Sequence, residues 1–270
     1  MAEELEEQVA RAGSVSRRHG APPWQVEADD RTSLHVVVAG SFHLAREAAP
    51  ILALAQGDLV LVAAKHPHRL RCVATDGHRL ALAEAKLDGK VSAPRQVIVP
   101  RKGVNELQGL FEGGDASIEL EFARNHLRVR REGVTFTSKL IDGRFPDYEA
   151  VIPIGADREV KIDREAFRAS LQRAAILSNE KYRGVKIEVS PGVLKVIAHN
   201  PEQEEAMEEI EAETTVDQLS VGFNVNYLLD ALSAVDGVQV RIRLRDGASS
   251  ALVESPVDDT TRHVVMPLRL

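Results

Sequence analysis

Cysteine is almost missing from this chain. Cys72 is the only one in 270 residues, so no disulfide within the chain can hold the fold together. That usage fits a reducing cytosol, and a cytoplasmic location is expected. Aromatic residues are scarce, at 4% of the chain, so any core must rest on Leu, Val, Ile and Ala. No apolar run approaches the roughly 20 residues that a bilayer span needs. The N-terminus, Met1-Ala-Glu-Glu-Leu-Glu-Glu, is acidic and does not resemble a secretory signal. A surplus of positive charge is also lacking. Lys and Arg total 34 against 41 Asp and Glu, a formal charge of -7, which argues against tight nonspecific wrapping of nucleic acid but leaves room for a local basic strip.

What is present suffices for two domains of ordinary size, with 44% hydrophobic and 28% charged residues. Residues 1–33 are polar and breaker-rich, and are expected to be poorly ordered. A strand is predicted near 34–39, a helix over 43–56, and strands over 58–63, 70–74 and 78–83, with a turn at Lys65-His-Pro-His. Internal similarity organises the rest. Gly103 to Asp115, then Ser117-Ile-Glu-Leu-Glu-Phe, a turn and His126-Leu-Arg-Val-Arg match Val225 to Gly237, then Val238 to Leu244, a turn and Ser250-Ala-Leu-Val-Glu. Likewise Leu70-Arg-Cys-Val-Ala-Thr-Asp-Gly aligns with Leu194-Lys-Val-Ile-Ala-His-Asn-Pro. The units therefore run A, B, A, B, each a helix with a small antiparallel meander. One such unit cannot bury both faces of its sheet, so two share a core. The expected fold class is α+β, with two domains and a boundary near Ile152–Ala156. Phe136 to Tyr148 reads as a strand followed by a breaker cluster, Ile141-Asp-Gly-Arg-Phe-Pro, at the hinge between them.

Several residues are candidates for function. Arg101 and Lys102 open the helix after Pro100, and Lys161, Arg164, Arg168 and Arg173 decorate the helix of the next unit. Such charges are usually a solvated face, but repeated units place them on one side, where they would meet phosphates without reading bases. The run from Glu202 to Glu213 is dense in carboxylates and lies between predicted strands. A negative edge strand repels its like and accepts a basic edge. Thr75-Asp-Gly-His-Arg-Leu80 sets Asp76 and His78 close together, yet turn chemistry explains the spacing, and no Ser nucleophile motif, Walker loop or HExxH accompanies it. Catalysis is disfavoured, and no metal or cofactor is implied. The strand at His263 to Leu270 is expected to run to the last residue, either buried or lining an apolar groove.

Six motifs then occur in order: Ala74-Thr-Asp-Gly-His-Arg-Leu-Ala81, Val99-Pro-Arg-Lys-Gly-Val104, Phe136 to Tyr148, Ile176-Leu-Ser-Asn-Glu-Lys-Tyr-Arg-Gly-Val185, Asn200-Pro-Glu-Gln-Glu-Glu-Ala206 and Val264-Val-Met-Pro-Leu-Arg-Leu270. Together they resemble the bacterial DNA polymerase III beta subunit, the replicative sliding clamp, over about residues 70 to 270.

The resemblance implies a DNA clamp fold, with residues 34–153 as a middle-type clamp domain and 154–270 as a C-terminal-type domain. It implies a non-catalytic processivity factor that tethers DNA polymerase III to duplex DNA without sequence preference. Partner peptides from the polymerase alpha subunit, the clamp loader and repair polymerases would enter a pocket at Thr75, Gly77, His78, Arg79, Leu80, Pro146, Val151, Tyr182, Ser250 and Val264, Val265, Met266, Pro267, Leu268, Arg269 and Leu270. Arg101, Lys102, Arg164, Arg168 and Arg173 would face DNA. Ile176, Leu177, Glu202, Glu204, Glu205 and Glu208 would meet another subunit of a homo-oligomer. The family also carries an N-terminal domain that residues 1–33 are too short to supply. The alternative expectation is therefore a shortened clamp that competes for partner peptides without closing a ring. Ala150 stands where the family pocket often has a basic residue.

Overall fold

The computed structural model describes residues 33–36, 59–63, 69–86, 95–111, 118–131 and 133–270. The expectations for residues 1–32, for a helix over 43–56 and for the turn at 65–68 lie outside the described residues. Among them no helix is long and apolar enough to cross a membrane.

The first half contains β1 (Ser33–Val36), β2 (Leu59–Ala63), β3 (Arg69–Thr75), β4 (Arg79–Lys86), β5 (Arg95–Val99), α1 (Arg101–Phe111), β6 (Ile118–Phe122), β7 (His126–Arg131) and β8 (Val134–Lys139). A short 3-10 turn, Glu149–Val151, follows the breaker cluster. The second half contains β9 (Arg158–Asp163), α2 (Arg164–Ile176), β10 (Gly184–Ser190), β11 (Val193–His199), β12 (Glu205–Glu211), β13 (Glu213–Thr214), β14 (Leu219–Asn224), α3 (Val225–Ala234), β15 (Gln239–Leu244), β16 (Ala251–Glu254) and β17 (Thr261–Val265).

Local chemistry sets these elements. In α2 the Asp163 carboxylate accepts a hydrogen bond from the Ala166 amide at 2.8 Å, an N-cap worth about 1 kcal/mol. Phe167, Ser170, Leu171 and Ala174 then recur at helical spacing and are all buried. Full burial of Phe167 or Leu171 contributes about 1.5–3 kcal/mol each. In β6 and β7 the alternation of apolar and charged residues buries Ile118, Leu120, Phe122, Leu127 and Val129 on one face.

The strands form three sheets, ordered β1-β6-β7-β8, β12-β11-β10-β14 and β13-β9-β15-β16-β17-β4-β3-β2-β5. The repeated units exchange strands rather than standing as separate meanders. β9 pairs with β15, and β14 pairs with β10, so each unit lends a strand to its neighbour's sheet. The nine-stranded sheet also crosses the expected boundary after residue 153, through antiparallel pairing of β4 with β17.

That seam explains the unbroken apolar run of β4. Ala81 and Ala83 point into the core built on Val99, Leu120 and Leu127, while Leu80 and Leu82 point the other way. On that second face they meet Val73, Leu252, Val264 and Tyr148, with Phe145, Val151 and Ile152 at the margin. The third core fills the space beneath α2 and α3, around Phe167, Leu194, Phe223 and Leu232.

Candidate partner-binding cleft

The turn between β3 and β4 is built by its own side chains. Asp76 Oδ1 accepts hydrogen bonds from the amides of His78 and Arg79 at 3.0 and 3.1 Å. Thr75 Oγ1 donates to the Arg79 carbonyl at 2.7 Å and accepts from the Gly77 amide at 3.2 Å. Gly77 has φ +85°, a conformation that favours glycine. Arg79, only 6% exposed, pairs with Asp76 Oδ2 at 3.0 Å and with Asp230, and lies 4.5 Å from the centroid of the Tyr227 ring. The Asp76 carboxylate is thus spent on the turn and on Arg79, and the His78 ring stacks on Tyr227 instead. The Asp76 carboxylate bonds the His78 amide and not its ring. Among the described residues no three of His, Cys, Asp and Glu converge as a metal site.

The hinge segment is pinned to this turn's strands by Arg71. Its guanidinium donates to Glu84 at 2.6 Å, to the Tyr148 hydroxyl at 2.9 Å and to Glu149 at 3.2 Å. Tyr148 is thereby held in the buried cluster with Leu80 and Val264, beside the half-buried Val151. Pro146 stays exposed between Phe145 and Asp147.

The C-terminal segment differs from the expected strand. β17 stops at Val265, because Pro267 has no amide to continue the ladder. Residues 266–270 form a tail fixed by two backbone bonds, Met266 N–H to the His78 carbonyl at 3.0 Å and Leu268 N–H to the Gly222 carbonyl at 2.8 Å. The tail lies on β10 and β14 where side chains are missing. A Cβ on Gly222 would sit 2.3 Å from the Leu268 carbonyl oxygen, and one on Gly184 would sit 2.4 Å from a Leu270 methyl.

Tyr182, 55% exposed, stands just before Gly184, and its carbonyl accepts from Asn224 Nδ2 at 3.1 Å. Ser250 is half-buried at the end of a loop organised by Asp246. That carboxylate accepts from Ser249 Oγ at 2.7 Å, the Ala248 amide at 2.9 Å and Arg245, which together hold its pKa down at about 2.

Of the expected pocket residues, Leu80 and Val264 share one apolar cluster with Val151 at its margin, and Met266 is bonded to His78 beside it. Leu80 and Val264 are buried on that face, while Arg79 and Val265, also buried, turn to the opposite face of the sheet. Thr75, Gly77, His78, Tyr182, Ser250, Met266, Pro267, Leu268, Arg269 and Leu270 retain surface. Sequence reasoning passed over Tyr148, Tyr227 and Asp230 as supports, and Gly184 and Gly222 as the bed of the tail. A glycine inside an otherwise apolar strand, as in Leu219-Ser-Val-Gly-Phe, was the available signal of close backbone approach.

The expected basic residues divide. Arg101 and Lys102 are exposed in the first turn of α1. Cations there oppose the helix dipole, so local helix stability does not account for them. Arg164 donates to the Val235 carbonyl at 2.8 Å and pairs with Glu165, tying α2 to the end of α3. Arg168 is partly exposed near Glu165. Arg173 forms two hydrogen bonds to Glu208, at 3.0 and 2.6 Å, so it is engaged at the sheet edge. This contact, with Arg173 donating, lowers the Glu208 pKa.

The acidic run forms β12, the outer strand of its sheet, with Glu205 exposed and Glu208 half-buried. Glu202 and Glu204 lie in the turn before it, where the Glu204 carboxylate accepts from Asn200 Nδ2 at 2.6 Å. Ile176 is 79% exposed at the end of α2, and the next residue, Leu177, is half-buried.

Repeated helix-and-sheet units, joined by a strand seam, define a protein of the DNA clamp fold. Comparison with known proteins agrees. Residues 53–147 match the DNA polymerase III beta subunit, central domain, and residues 149–269 match its C-terminal domain. The chain is 50% identical over 203 residues to the beta sliding clamp of Pseudomonas aeruginosa and 44% identical over 201 residues to that of Escherichia coli K12. Both alignments cover 74% of this chain and 55% of the relative, so the chain spans about half the length of the curated relatives it matches.

Among solved structures, the Pseudomonas aeruginosa sliding clamp superposes with a TM-score of 0.83 at 42% identity, covering 88% of this chain and 67% of that one. A griselimycin-bound clamp of the same organism gives 0.83 at 40% identity, over 91% and 68%. The Caulobacter crescentus clamp gives 0.80 at 35% identity, over 92% and 69%. The chain belongs to the DNA polymerase III beta subunit family, the beta sliding clamps.

Proposed function

We propose that this protein is a sliding-clamp processivity factor of DNA replication, with residues 34–153 and 154–270 as its clamp domains. It tethers DNA polymerase III and other clamp-binding proteins to duplex DNA. The observation that carries the reading is the β4–β17 seam. Its apolar face is built on Leu80, Tyr148 and Val264, and exposed His78 and Tyr182 and the surface-lying tail stand at its margin. Such a site takes a short extended peptide with an apolar anchor.

Retention on DNA is topological in this reading. Arg101 and Lys102 meet phosphates without reading bases, and a chain of formal charge -7 has little general affinity for the duplex. Fluorescence anisotropy with a short labelled peptide carrying adjacent Leu and Phe tests the cleft. Saturable binding is expected, and no binding at any protein concentration refutes it. Loading onto a nicked circular plasmid tests the ring. Retention on the circle that disappears on linearisation is expected.

A second reading, a competitor that binds partner peptides without closing a ring, draws on β8 and β12, which have no further neighbour on one side among the described residues. Peptide binding with no retention on the circle selects it.

A further inference from the structure

The sheet face that carries Leu80 and Val264 passes directly into charge. Arg262 lies two residues before Val264 on β17 and, at a period of two, on the same face. Glu254 stands opposite it on β16, and Arg241 stands opposite Glu254 on β15. Arg243, two residues along β15, opposes Leu252, which belongs to the Leu80–Val264 cluster. Three guanidinium groups thus border that cluster, around one carboxylate.

That carboxylate does not satisfy all three. Glu254 is 2% exposed, and its Oε1 accepts from Arg241 Nε at 3.0 Å. Arg243 Nε stands 3.0 Å from the same oxygen, in an ion pair without hydrogen-bond geometry. Arg262 is half-buried and has no hydrogen bond or ion pair among the described residues. Two carboxylates on the flanking strands are held elsewhere, Glu84 by Arg71 at 2.5 Å and Glu159 by Lys161 at 3.1 Å. Neutralising a buried carboxylate accounts for Arg241 and Arg243. It leaves Arg262 without a task, in a chain whose formal charge is -7.

We infer that Arg262, with Arg243 beside it, takes a carboxylate of the partner peptide, so that the site selects an apolar anchor with an acidic residue near it. The inference rests on the proposed partner site and names the chemistry of its guest. Two residues of strand put Arg262 about 7 Å from Val264, and two strand spacings put Arg243 about 10 Å from it. An extended peptide advances about 3.3 Å per residue, so an Asp or Glu two or three positions from the anchor comes within reach. A guanidinium suits this task, because its planar fork of donors matches a carboxylate.

Fluorescence anisotropy with two labelled peptides tests it. Both carry adjacent Leu and Phe. One has Asp at the second and third positions on either side of that pair, and the other has Gln there. The native chain is expected to bind the Asp peptide about threefold to tenfold more tightly at low ionic strength, as exposed ion pairs allow, with the difference fading in salt. The overall charge of -7 repels an acidic peptide, so such a preference reports local cations. Arg262→Gln is expected to bring the ratio of the two affinities close to one, Arg262→Lys to retain most of it, and Arg262→Glu to reverse it. If Arg262→Gln loses the Gln peptide as well, the same ratio is read from Arg243→Gln.

Equal or weaker binding of the Asp peptide by the native chain overturns the inference, and so does a preference that survives Arg262→Gln unchanged. In both cases firm binding of the Gln peptide leaves the partner site standing. Binding of neither peptide removes the partner site and this inference together.

Discussion

Mild acid should weaken this protein through one residue, His263. The side chain is 1% exposed, lies on β17 opposite Ala81 of β4, and neither ring nitrogen has a hydrogen-bond partner among the described residues. A void of about 10 Å³ beside it is lined by Arg79, Tyr227 and apolar side chains, with no carboxylate to welcome a proton. Burial therefore lowers its pKa from 6.5 to about 4.

Below pH 6.5 the unfolded chain takes up a proton that the folded chain refuses, so stability rises with pH between about 4 and 6.5. Over the whole window the effect is about 3 kcal/mol, and between pH 7 and pH 5 it is about 2 kcal/mol. Asp246, whose pKa is lowered from 3.8 to about 2, loses its contribution only at more acid pH and leaves this window clear. Urea unfolding at pH 7 and pH 5, compared between the native chain and His263→Leu, isolates the term. The variant should lose about 2 kcal/mol less on acidification, and at pH 7 it should be as stable or more so, because a polar ring without partners is removed. Parallel pH profiles for the two proteins would refute the reasoning.

Other consequences are as direct. Gly222→Val puts a side chain where the Leu268 carbonyl lies, so the tail should lift and carboxypeptidase should release Leu270 faster than from the native chain; equal rates count against the seating described. Arg79→Ala strips the cation from Asp76 and Tyr227, and should cost about 2–4 kcal/mol in urea unfolding. Lys102→Glu should raise the stability of α1 by about 0.3–1 kcal/mol, while retention on circular DNA falls. Val264→Ala should cost about 2 kcal/mol in stability, whereas Met266→Ala should weaken peptide binding with little change in stability.

The sequence made the repeat legible because each unit carries its own local signals. Helices at 101, 164 and 225 and hairpins after them follow from capping, periodicity and turns, and all are present. The acidic run was also legible as an edge strand, since nothing but an exposed edge tolerates Glu at so many positions. Strand exchange between units was not legible. Pairing of β9 with β15 joins residues far apart in the chain, and no local pattern encodes which distant strand is the neighbour. In the cleft, the Thr75 to Leu80 turn was readable from its motif, but its anchors were not. Asp230 lies 151 positions from Arg79, on a helix that reads as ordinary core packing. The tail was misread for a simpler reason. Its apolar composition suits a strand, and Pro267 was given too little weight as a terminator.

The seam between β4 and β17 has two faces and two duties. One face, through Ala81 and Ala83, closes a domain core; the other, through Leu80, Leu82 and Val264, packs against Tyr148 and in the proposed function floors the partner site. A floor made of paired strands buried on both sides has no freedom to adapt to a guest without unzipping the nine-stranded sheet. Adaptation is left to parts outside the ladder: the Gly77 turn, the segment from Phe145 to Val151, and the tail held by two backbone bonds. The middle segment is fastened by Arg71 to Tyr148 together with the burial of Tyr148, and the other two chiefly by hydrogen bonds. In the proposed function, a site that receives different peptides would gain from this division: the rigid strands would supply a constant apolar anchor, and the parts outside the ladder would accommodate what differs from one partner to the next.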